Sequence, residues 1–351
     1  MRVTRMGRDW ATQVFQVHGV DRHGKVVIRS QLTRGKMRGF FAQRPACLIG
    51  MEAWASAHYW AREWSPFGHT VRLIAPQFVR PSRKNPKNDG NDAEASCEAV
   101  SRPHRRVVPV NSVAQPAVLT GHRARELLVG DRTALVHQRR GLLAAYGIVV
   151  PPGMTRLRRA WPSGLEEAAN GLPALTRDVI ADVQERLWDL DERIASDDRR
   201  SAQLARQHEA VQRLMPLEGV GAAPAPAIVA TMGEGNALRN GRPLAAWLGL
   251  VPQPYSSGGK TRLGHISKRG TVYLRTRLIH GARRVLQLTS TRPEAKSRWA
   301  EQLQPRRGNT IAAVALAAEH ARIIWAIRAR GQEYRRAASH QRGFTSTRGP
   351  T

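Results

Sequence analysis

The chain has 351 residues, and its 56 lysines and arginines outnumber its 27 acidic residues to give a net charge of +29. Two cysteines without metal-ligand spacing argue against a disulfide framework and against a zinc site. The chain has no run of 18 apolar residues and no apolar N-terminal core, so we expect a soluble cytoplasmic protein with no membrane partner. The large surplus of arginine predicts a polyanionic partner, nucleic acid being the simplest, and an affinity that falls steeply with salt.

The N-terminal part predicts an alternation of strands and helices. The pattern indicates strands over residues 1–30 with a turn at 21–24, a helix over 34–44, a buried strand over 47–51, a helix over 53–64, a strand over 70–75 and a helix after residue 92. Asp9 lies on or beside the first strand. Glu52 directly follows the buried strand, where a carboxylate is typical of site chemistry in an α/β fold. The alternative for Glu52 is a helix-capping acid.

Asp89 and Asp92 stand at the entrance of the last of these helices, after a loop rich in asparagine and glycine. At a spacing of three residues both carboxylates lie on one face of the first turn. Two carboxylates this close repel each other, and a divalent cation between them relieves the repulsion. The alternative is an N-cap with a first-turn acid that suits the helix dipole. The order of the elements matches the ribonuclease-H-like fold, in which acids at these places converge on metal.

The middle of the chain is basic and helical. Five arginines predict positive stripes that contact nucleic acid, or else solvated helix faces: Arg123, Arg125, Arg132, Arg139 and Arg140. Residues 151–153 break the helix. Heptad-like apolar spacing over residues 187–204 predicts a long helix or helical hairpin that pairs with another copy, or an amphipathic helix packed on its own domain.

The C-terminal part begins with a Gly-containing turn at residues 216–221 that resembles a helix-hairpin-helix module. Pro224 and Pro226 follow it and argue against a regular second helix. A helix is expected over residues 271–290 and another over 311–328, capped by Asn309 or Thr310.

A second candidate site, rich in glycine, serine and basic residues, lies at residues 255–270. Its glycines allow the backbone to approach a phosphate, but they do not match a Walker A loop. Four basic side chains would neutralise that phosphate: Lys260, Arg262, Lys268 and Arg269. The stretch also contains Ser256 and Ser257. One of these serines is a nucleophile that attacks phosphorus, or else the serines only bind the phosphate.

Together, the order of the four acids and the stretches AWLGLVP (residues 246–252), SSGGK and ISKRG resemble the DEDD class of bacterial insertion-sequence transposases, also described as bridge-RNA-guided recombinases. The resemblance implies a ribonuclease-H-like α/β domain (1–112), a helical linker or coiled coil (113–212), a mainly α transposase domain (213–334) and a disordered tail (335–351).

The resemblance also implies roles. Asp9, Glu52, Asp89 and Asp92 would hold Mg²⁺, and Ser257, with Ser256 as the adjacent alternative, would form a phosphoserine link to DNA. A structured guide RNA would pair with the DNA, in a homo-oligomer at the bacterial nucleoid. The alternatives are a metal-dependent junction-resolving nuclease without a covalent intermediate, and a decayed copy that only binds nucleic acid. Arg8, Pro224 and Pro226 depart from the family pattern and favour the decayed copy.

Overall fold

The computed structural model describes residues 3–8, 13–54, 56–84, 88–102, 107–150, 153, 171–236, 238–288 and 295–334. The chain divides into two compact units, residues 1–115 and 116–351. The first unit is a mixed α/β sheet domain and the second is mostly helical, so the predicted succession of an α/β part and a helical part is confirmed.

The first unit contains a six-stranded sheet and four α-helices. In chain order they are β1 (Arg5–Arg8), β2 (Val14–Val20), β3 (Val26–Thr33), α1 (Arg34–Ala42), β4 (Leu48–Glu52), α2 (Ala57–Trp64), β5 (Thr70–Ile74), α3 (Pro76–Val79), α4 (Asp89–Ser101) and β6 (Val107–Val108). The strands are arranged in the order β3-β2-β1-β4-β5-β6. β2 is antiparallel to β1, whereas β4 is parallel to both β1 and β5.

The strands β1 to β5 and the helices α1, α2 and α4 lie where the sequence predicts them. The short elements α3 and β6 were not predicted, because four and two residues carry no measurable periodicity. Alternate residues of the central strands face opposite sides of the sheet. Met6, Ile49 and Met51 pack with Trp60 and Trp64 on the side of α1 and α2. The other side of the sheet receives α4.

Two glycines let α4 lie directly on the central strands. A Cβ at Gly7 of β1 would come within 2.0 Å of the Ala93 carbonyl oxygen, and one at Gly50 of β4 would come within 2.6 Å of the Ser96 oxygen. Because these positions lack side chains, the small residues of α4 approach the sheet at backbone distance. The glycines therefore determine the position on the sheet of the helix that carries Asp89 and Asp92.

We expect Gly7→Ala to lower the free energy of unfolding by about 3 kcal/mol, because backbone atoms of α4 must move to admit the methyl group. Urea unfolding of the purified protein measures this loss. Gly39→Ala is the matched control, since Gly39 lies in α1 with nothing within 4 Å of an added Cβ. An equal effect of both substitutions would contradict the close seating of α4.

The second unit contains a long helical hairpin, a group of shorter helices and a small β-hairpin. In chain order they are α5 (Ala114–Ala144), α6 (Ala174–Gln207), α7 (Glu209–Gln212), α8 (Pro224–Met232), α9 (Gly241–Trp247), β7 (Pro252–Pro254), β8 (Leu263–Ile266), α10 (Val272–Gln287), α11 (Ala295–Arg307) and α12 (Asn309–Arg330). The first two residues of α5 precede the boundary between the units. β7 and β8 pair antiparallel.

The helices α5 and α6 pair antiparallel within the chain. Leu135 and Val136 pack with Val183 and Leu187, and Leu143 packs with Ile180 nearer the connecting end. The heptad-like spacing of α6 is thus used against α5 of the same chain, as in an antiparallel coiled coil. The described contacts match the alternative, an amphipathic helix packed on its own domain, whereas pairing with another copy stays a prediction.

The helix α12 is the core helix of the second unit. It packs against α9, α10 and α11, and its alanine-rich faces are buried, including Ala313 and Ala317. Among the described helices it alone has the length and apolar composition to cross a membrane, and 56% of that window is buried inside the protein. Its N-cap is Gly308 rather than Asn309 or Thr310, so the predicted capping residue was wrong.

The two prolines near residue 225 do not disturb the helix that contains them. Pro224 begins α8 and Pro226 lies in its first turn. The first four N–H groups of a helix have no intrahelical partner, so neither proline removes a hydrogen bond. The expectation of an irregular helix here was wrong, and the prolines give no argument for a decayed protein.

A buried histidine joins α5 to α10. His122 is 3% exposed, and its Nδ1 lies 2.9 Å from the Tyr273 hydroxyl oxygen. Burial, together with the nearby charges of Arg277 and Arg125, lowers the pKa of His122 to about 4. The folded protein therefore keeps this imidazole neutral, whereas the unfolded chain protonates it below its ordinary pKa.

We expect acid to destabilise the protein through His122. Since its folded pKa lies below the unfolded one, the stabilisation is present above pH 6.5 and is lost as the pH falls toward 4. Between pH 7 and pH 5 the loss in unfolding free energy is about 2 kcal/mol. Urea unfolding of wild type and His122→Gln at both pH values measures it. Identical pH dependence in the two proteins would contradict the assignment.

Candidate active site

The two predicted acids of α4, Asp89 and Asp92, differ in their exposure to solvent. Asn88 caps the helix, and its side-chain oxygen accepts a hydrogen bond from the Asn91 N–H at 2.7 Å. Asp89 is the first helical residue and is exposed, whereas Asp92 is only 4% exposed. A buried carboxylate on the face that meets the sheet needs a countercharge.

Arg83 supplies that countercharge to Asp92. The two side chains form an ion pair, with the Arg83 and Asp92 side chains 22% and 6% exposed. Lys84, the next residue, pairs with Glu94 at 2.7 Å and lowers the pKa of that carboxyl. The basic loop before α4 is therefore bound to the acids of α4. A cation at Asp92 would have to compete with the Arg83 guanidinium.

Glu52 is the last residue of β4. Strand alternation puts it on the same face as Gly50, which contacts α4. Asp9 follows β1 in the chain and lies outside the described residues. Within the described parts of the chain, no three acidic, histidine or cysteine side chains form a group that would hold a metal ion. The four-acid centre accordingly stays a prediction that depends on Asp9.

Ser256 and Ser257 lie at the tip of the β7–β8 hairpin. Gly258 and Gly259 have φ values of 56° and 75°, and Ser257 pairs with Lys260 across them. Two consecutive residues with positive φ form the tight turn that suits the twist of a hairpin, and glycine adopts it without strain. The turn holds Ser257 beside the side chain of Lys260.

The structure distinguishes the two hydroxyl groups. The Ser256 oxygen accepts a hydrogen bond from the Arg262 N–H at 3.1 Å, so this side chain ties the two strands together. Ser257 is exposed, and its hydroxyl makes no hydrogen bond to any residue that the structure describes. Of the two serines, Ser257 is the one whose oxygen is available to a ligand.

The stretch at residues 267–270 is held rigidly beside the end of α9. Arg275 is 7% exposed and donates to the carbonyl oxygens of Leu248 at 3.1 Å and Arg269 at 2.8 Å. A Cβ at Gly270 would come within 1.9 Å of the Trp247 oxygen, which leaves only glycine room here. The four predicted basic residues all remain exposed: Lys260, Arg262, Lys268 and Arg269.

Most of the arginine stripe on α5 is directed at α6. Arg125 forms two hydrogen bonds with Asp198, at 2.6 and 3.1 Å, and Arg132 pairs with Asp191 at 2.9 Å. Arg139 is 2% exposed and donates to Gln184. These contacts recur every seven residues along both helices, so the arginines hold α5 and α6 together. Arg123 is exposed and remains a candidate for phosphate contact, whereas Arg125 has its guanidinium engaged within the chain.

Neither cysteine is suited to act as a nucleophile. Cys47 and Cys97 are both buried, and burial raises the pKa of each thiol to about 11. At neutral pH both are protonated and inaccessible, and the thiolate is the reactive form. Ser257 therefore has no competitor among the thiols of this chain.

The sequence analysis does not identify two residues that shape the site. In the sequence, Arg83 is one of several cations before residue 89, and Arg275 is one of several arginines between residues 271 and 290. Pairing of Arg83 with Asp92 depends on how the loop folds back on α4. The position of Arg275 three residues before Leu278 and seven before Ala282 does place it on the inward face of α10, which is a usable signal.

Comparison with known proteins finds transposases that align with nearly the entire chain. Residues 211–300 match the family model described as "Transposase IS116/IS110/IS902 family". A "Probable family 20 transposase" of Pseudomonas aeruginosa is 49% identical over 340 residues, which cover 95% of this chain and 99% of that protein. The "Transposase for insertion sequence element IS1111A" of Coxiella burnetii is 38% identical over 94% of this chain and 91% of its own length. The "Transposase for insertion sequence element IS1328" of Yersinia enterocolitica is 35% identical, over 94% and 98% respectively.

Proposed function

Because this chain belongs to the IS116/IS110/IS902 family of insertion-sequence transposases, we propose that it cuts and rejoins DNA through a covalent link to Ser257, assisted by a magnesium centre. The observation that carries the proposal is the hairpin tip. There an exposed hydroxyl without a partner in the described chain lies on a tight glycine turn that is followed by the basic residues Lys260 and Arg262.

The chemistry needs no external energy source. The Ser257 oxygen attacks the phosphorus and forms a new phosphate ester as its proton leaves. The bond from phosphorus to a deoxyribose oxygen breaks, and that oxygen takes up a proton to become a free hydroxyl group. The reverse attack by a hydroxyl group on another strand rejoins DNA and releases the serine, so one ester replaces another throughout. Lys260 and Arg262 would neutralise the phosphate.

The first unit supports a ribonuclease-H-like domain with an acid centre. Three antiparallel strands followed by two parallel strands, with helices between them, have the element order of that fold. The proposed ligands, Asp9, Glu52, Asp89 and Asp92, are all carboxylates, and hard oxygen ligands suit Mg²⁺. When bound, Mg²⁺ would polarise the scissile phosphate and stabilise charge on its oxygens. In the protein as described, Arg83 holds the place of a cation at Asp92.

DNA and a structured guide RNA are the proposed partners. The net charge of +29 suits two polyanions, and base pairing would select the sequence while arginines contact the backbones. The resemblance of the chain to bridge-RNA-guided recombinases further supports a homo-oligomer, a dimer or a tetramer. These partners place the protein at the nucleoid of the cytoplasm.

We expect nucleic-acid affinity to fall by about 10³-fold or more between 50 and 200 mM salt, because many phosphate contacts release counterions. Fluorescence anisotropy with a labelled duplex at a series of salt concentrations measures the slope. A flat response would contradict an electrostatic role for the arginine surplus.

A nicked suicide substrate tests the function directly. Its scissile phosphate lies beside a nick, so that the released fragment diffuses away and a covalent intermediate accumulates. We expect a protein–DNA adduct that survives denaturation and requires Mg²⁺. Cleavage without an adduct would instead indicate the junction-resolving nuclease, in which Ser257 only binds phosphate. Binding without any cleavage would indicate a non-catalytic protein.

A further inference from the structure

Tyr255 is held against the β7–β8 hairpin by one edge of its ring. A Cβ at Gly264 would come within 2.5 Å of the Tyr255 Cε2 atom and within 3.1 Å of Cδ2, so this edge of the ring contacts the backbone at that glycine. The Tyr255 N–H donates to the Arg262 oxygen at 2.8 Å, which fixes the base of the side chain. Nevertheless 62% of Tyr255 is exposed. The ring is thus positioned by its edge, and most of its surface remains available to a ligand.

The surroundings of this ring are suited to a polyanion. No aspartate or glutamate occurs between Glu234 and Glu294, whereas basic side chains recur throughout that segment. Lys260 and Arg262 are exposed on the same hairpin. An apolar surface meant for another protein would carry mixed charges at its rim. An exposed aromatic ring within a purely basic segment is instead the arrangement with which proteins stack single-stranded bases.

We propose that Tyr255 is a stacking platform for an unpaired DNA base next to the phosphate attacked by Ser257. Two residues of extended chain span about 7 Å, within the reach of one nucleotide from its phosphate to its base. Stacking would hold that phosphate against the hairpin tip, which makes Tyr255 a positioning residue. This inference rests on the proposed function of Ser257.

Three variants separate the ring from its position. Tyr255→Ala removes the platform, and Tyr255→Phe keeps it. Gly264→Ala keeps the ring but displaces it, because the new methyl group would occupy the space of Cε2 and a side chain swings aside more readily than backbone. Trp188→Ala is the matched control, since Trp188 is a 61% exposed aromatic residue on α6 of the same unit.

The first measurement is the fluorescence of 2-aminopurine in a single-stranded DNA oligonucleotide. We expect wild type and Tyr255→Phe to quench it and to bind alike. Tyr255→Ala and Gly264→Ala are expected to bind about tenfold more weakly with less quenching. Equal quenching by Tyr255→Ala, or an equal loss in Trp188→Ala, would overturn the inference. Quenching restricted to an RNA oligonucleotide of the same sequence would overturn the assignment to DNA.

The second measurement is the yield of covalent adduct from suicide substrates with and without an abasic nucleotide beside the scissile phosphate. Wild type should exceed Tyr255→Ala by about tenfold on the intact substrate and should equal it on the abasic one. Equal yields on both would overturn the inference. If wild type forms no adduct at all, the proposed function fails, whereas the fluorescence measurement still reports on stacking by itself.

Discussion

Replacing Ser257 by alanine is expected to abolish the covalent protein–DNA product, with a loss on the order of 10³-fold or more, because no other side chain supplies the attacking oxygen. Ser256→Ala is the matched control. It removes the hydrogen bond to the Arg262 N–H, which is worth about 1 kcal/mol, and should lower the yield only several-fold.

Gel electrophoresis under denaturing conditions measures both yields on the nicked substrate. DNA binding by Ser257→Ala should remain close to that of wild type, since the basic side chains of the hairpin are unchanged. A full yield from Ser257→Ala, combined with a large loss in Ser256→Ala, would transfer the nucleophile to Ser256. Full yields from both variants would contradict a serine at this hairpin.

Replacing Asp92 by asparagine, or Glu52 by glutamine, is expected to lower strand cleavage by more than about 100-fold. Even side chains that only orient metal ligands change metal affinity or activity by 10- to 100-fold, and direct ligands should exceed that range. Asp89→Asn and Asp9→Asn belong to the same group. The matched control is Glu94→Gln, because Glu94 lies on the same helix and is also paired with a cation, Lys84, but is not a proposed metal ligand.

A second readout reports metal binding without the reaction. Mg²⁺ should raise the melting temperature of wild type and Glu94→Gln, since a ligand that binds only the folded state stabilises it. It should leave Asp92→Asn and Glu52→Gln unchanged. Arg83→Gln, which removes the competing guanidinium, should reach half of this shift at a lower Mg²⁺ concentration. Acid variants that cleave and respond to Mg²⁺ as wild type does would contradict the four-acid centre.

The sequence predicts the first unit well because its elements carry strong periodic patterns. The strands around Ile49 and Leu73 are short apolar runs, and the helix that begins at Asp89 follows a loop rich in asparagine and glycine. Its N-cap is Asn88 rather than one of the two aspartates. What the pattern does not contain is the depth of packing. Only the close approach of α4 to Gly7 and Gly50 explains why Asp92 is buried and Asp89 exposed.

The sequence predicts the binding partners of the α5 arginines less well, because composition does not show which side chains face solvent and which face another helix. Arg125 and Arg132 belong to a stripe with no acid on the same helix face, so they appeared available to nucleic acid. Their partners, Asp198 and Asp191, lie more than fifty residues away on α6. Long-range pairing of this kind is set by the hairpin geometry, which the local pattern only hints at through its seven-residue spacing.

The most direct test of the central proposal is the identity of the residue joined to DNA. Wild-type protein trapped on a nicked duplex is digested with nuclease and protease, and the peptide that retains a nucleotide is sequenced by mass spectrometry. The nucleotide should sit on Ser257. A nucleotide on any other residue, or cleavage that proceeds while every peptide stays unmodified, would contradict a phosphoserine intermediate at the hairpin tip.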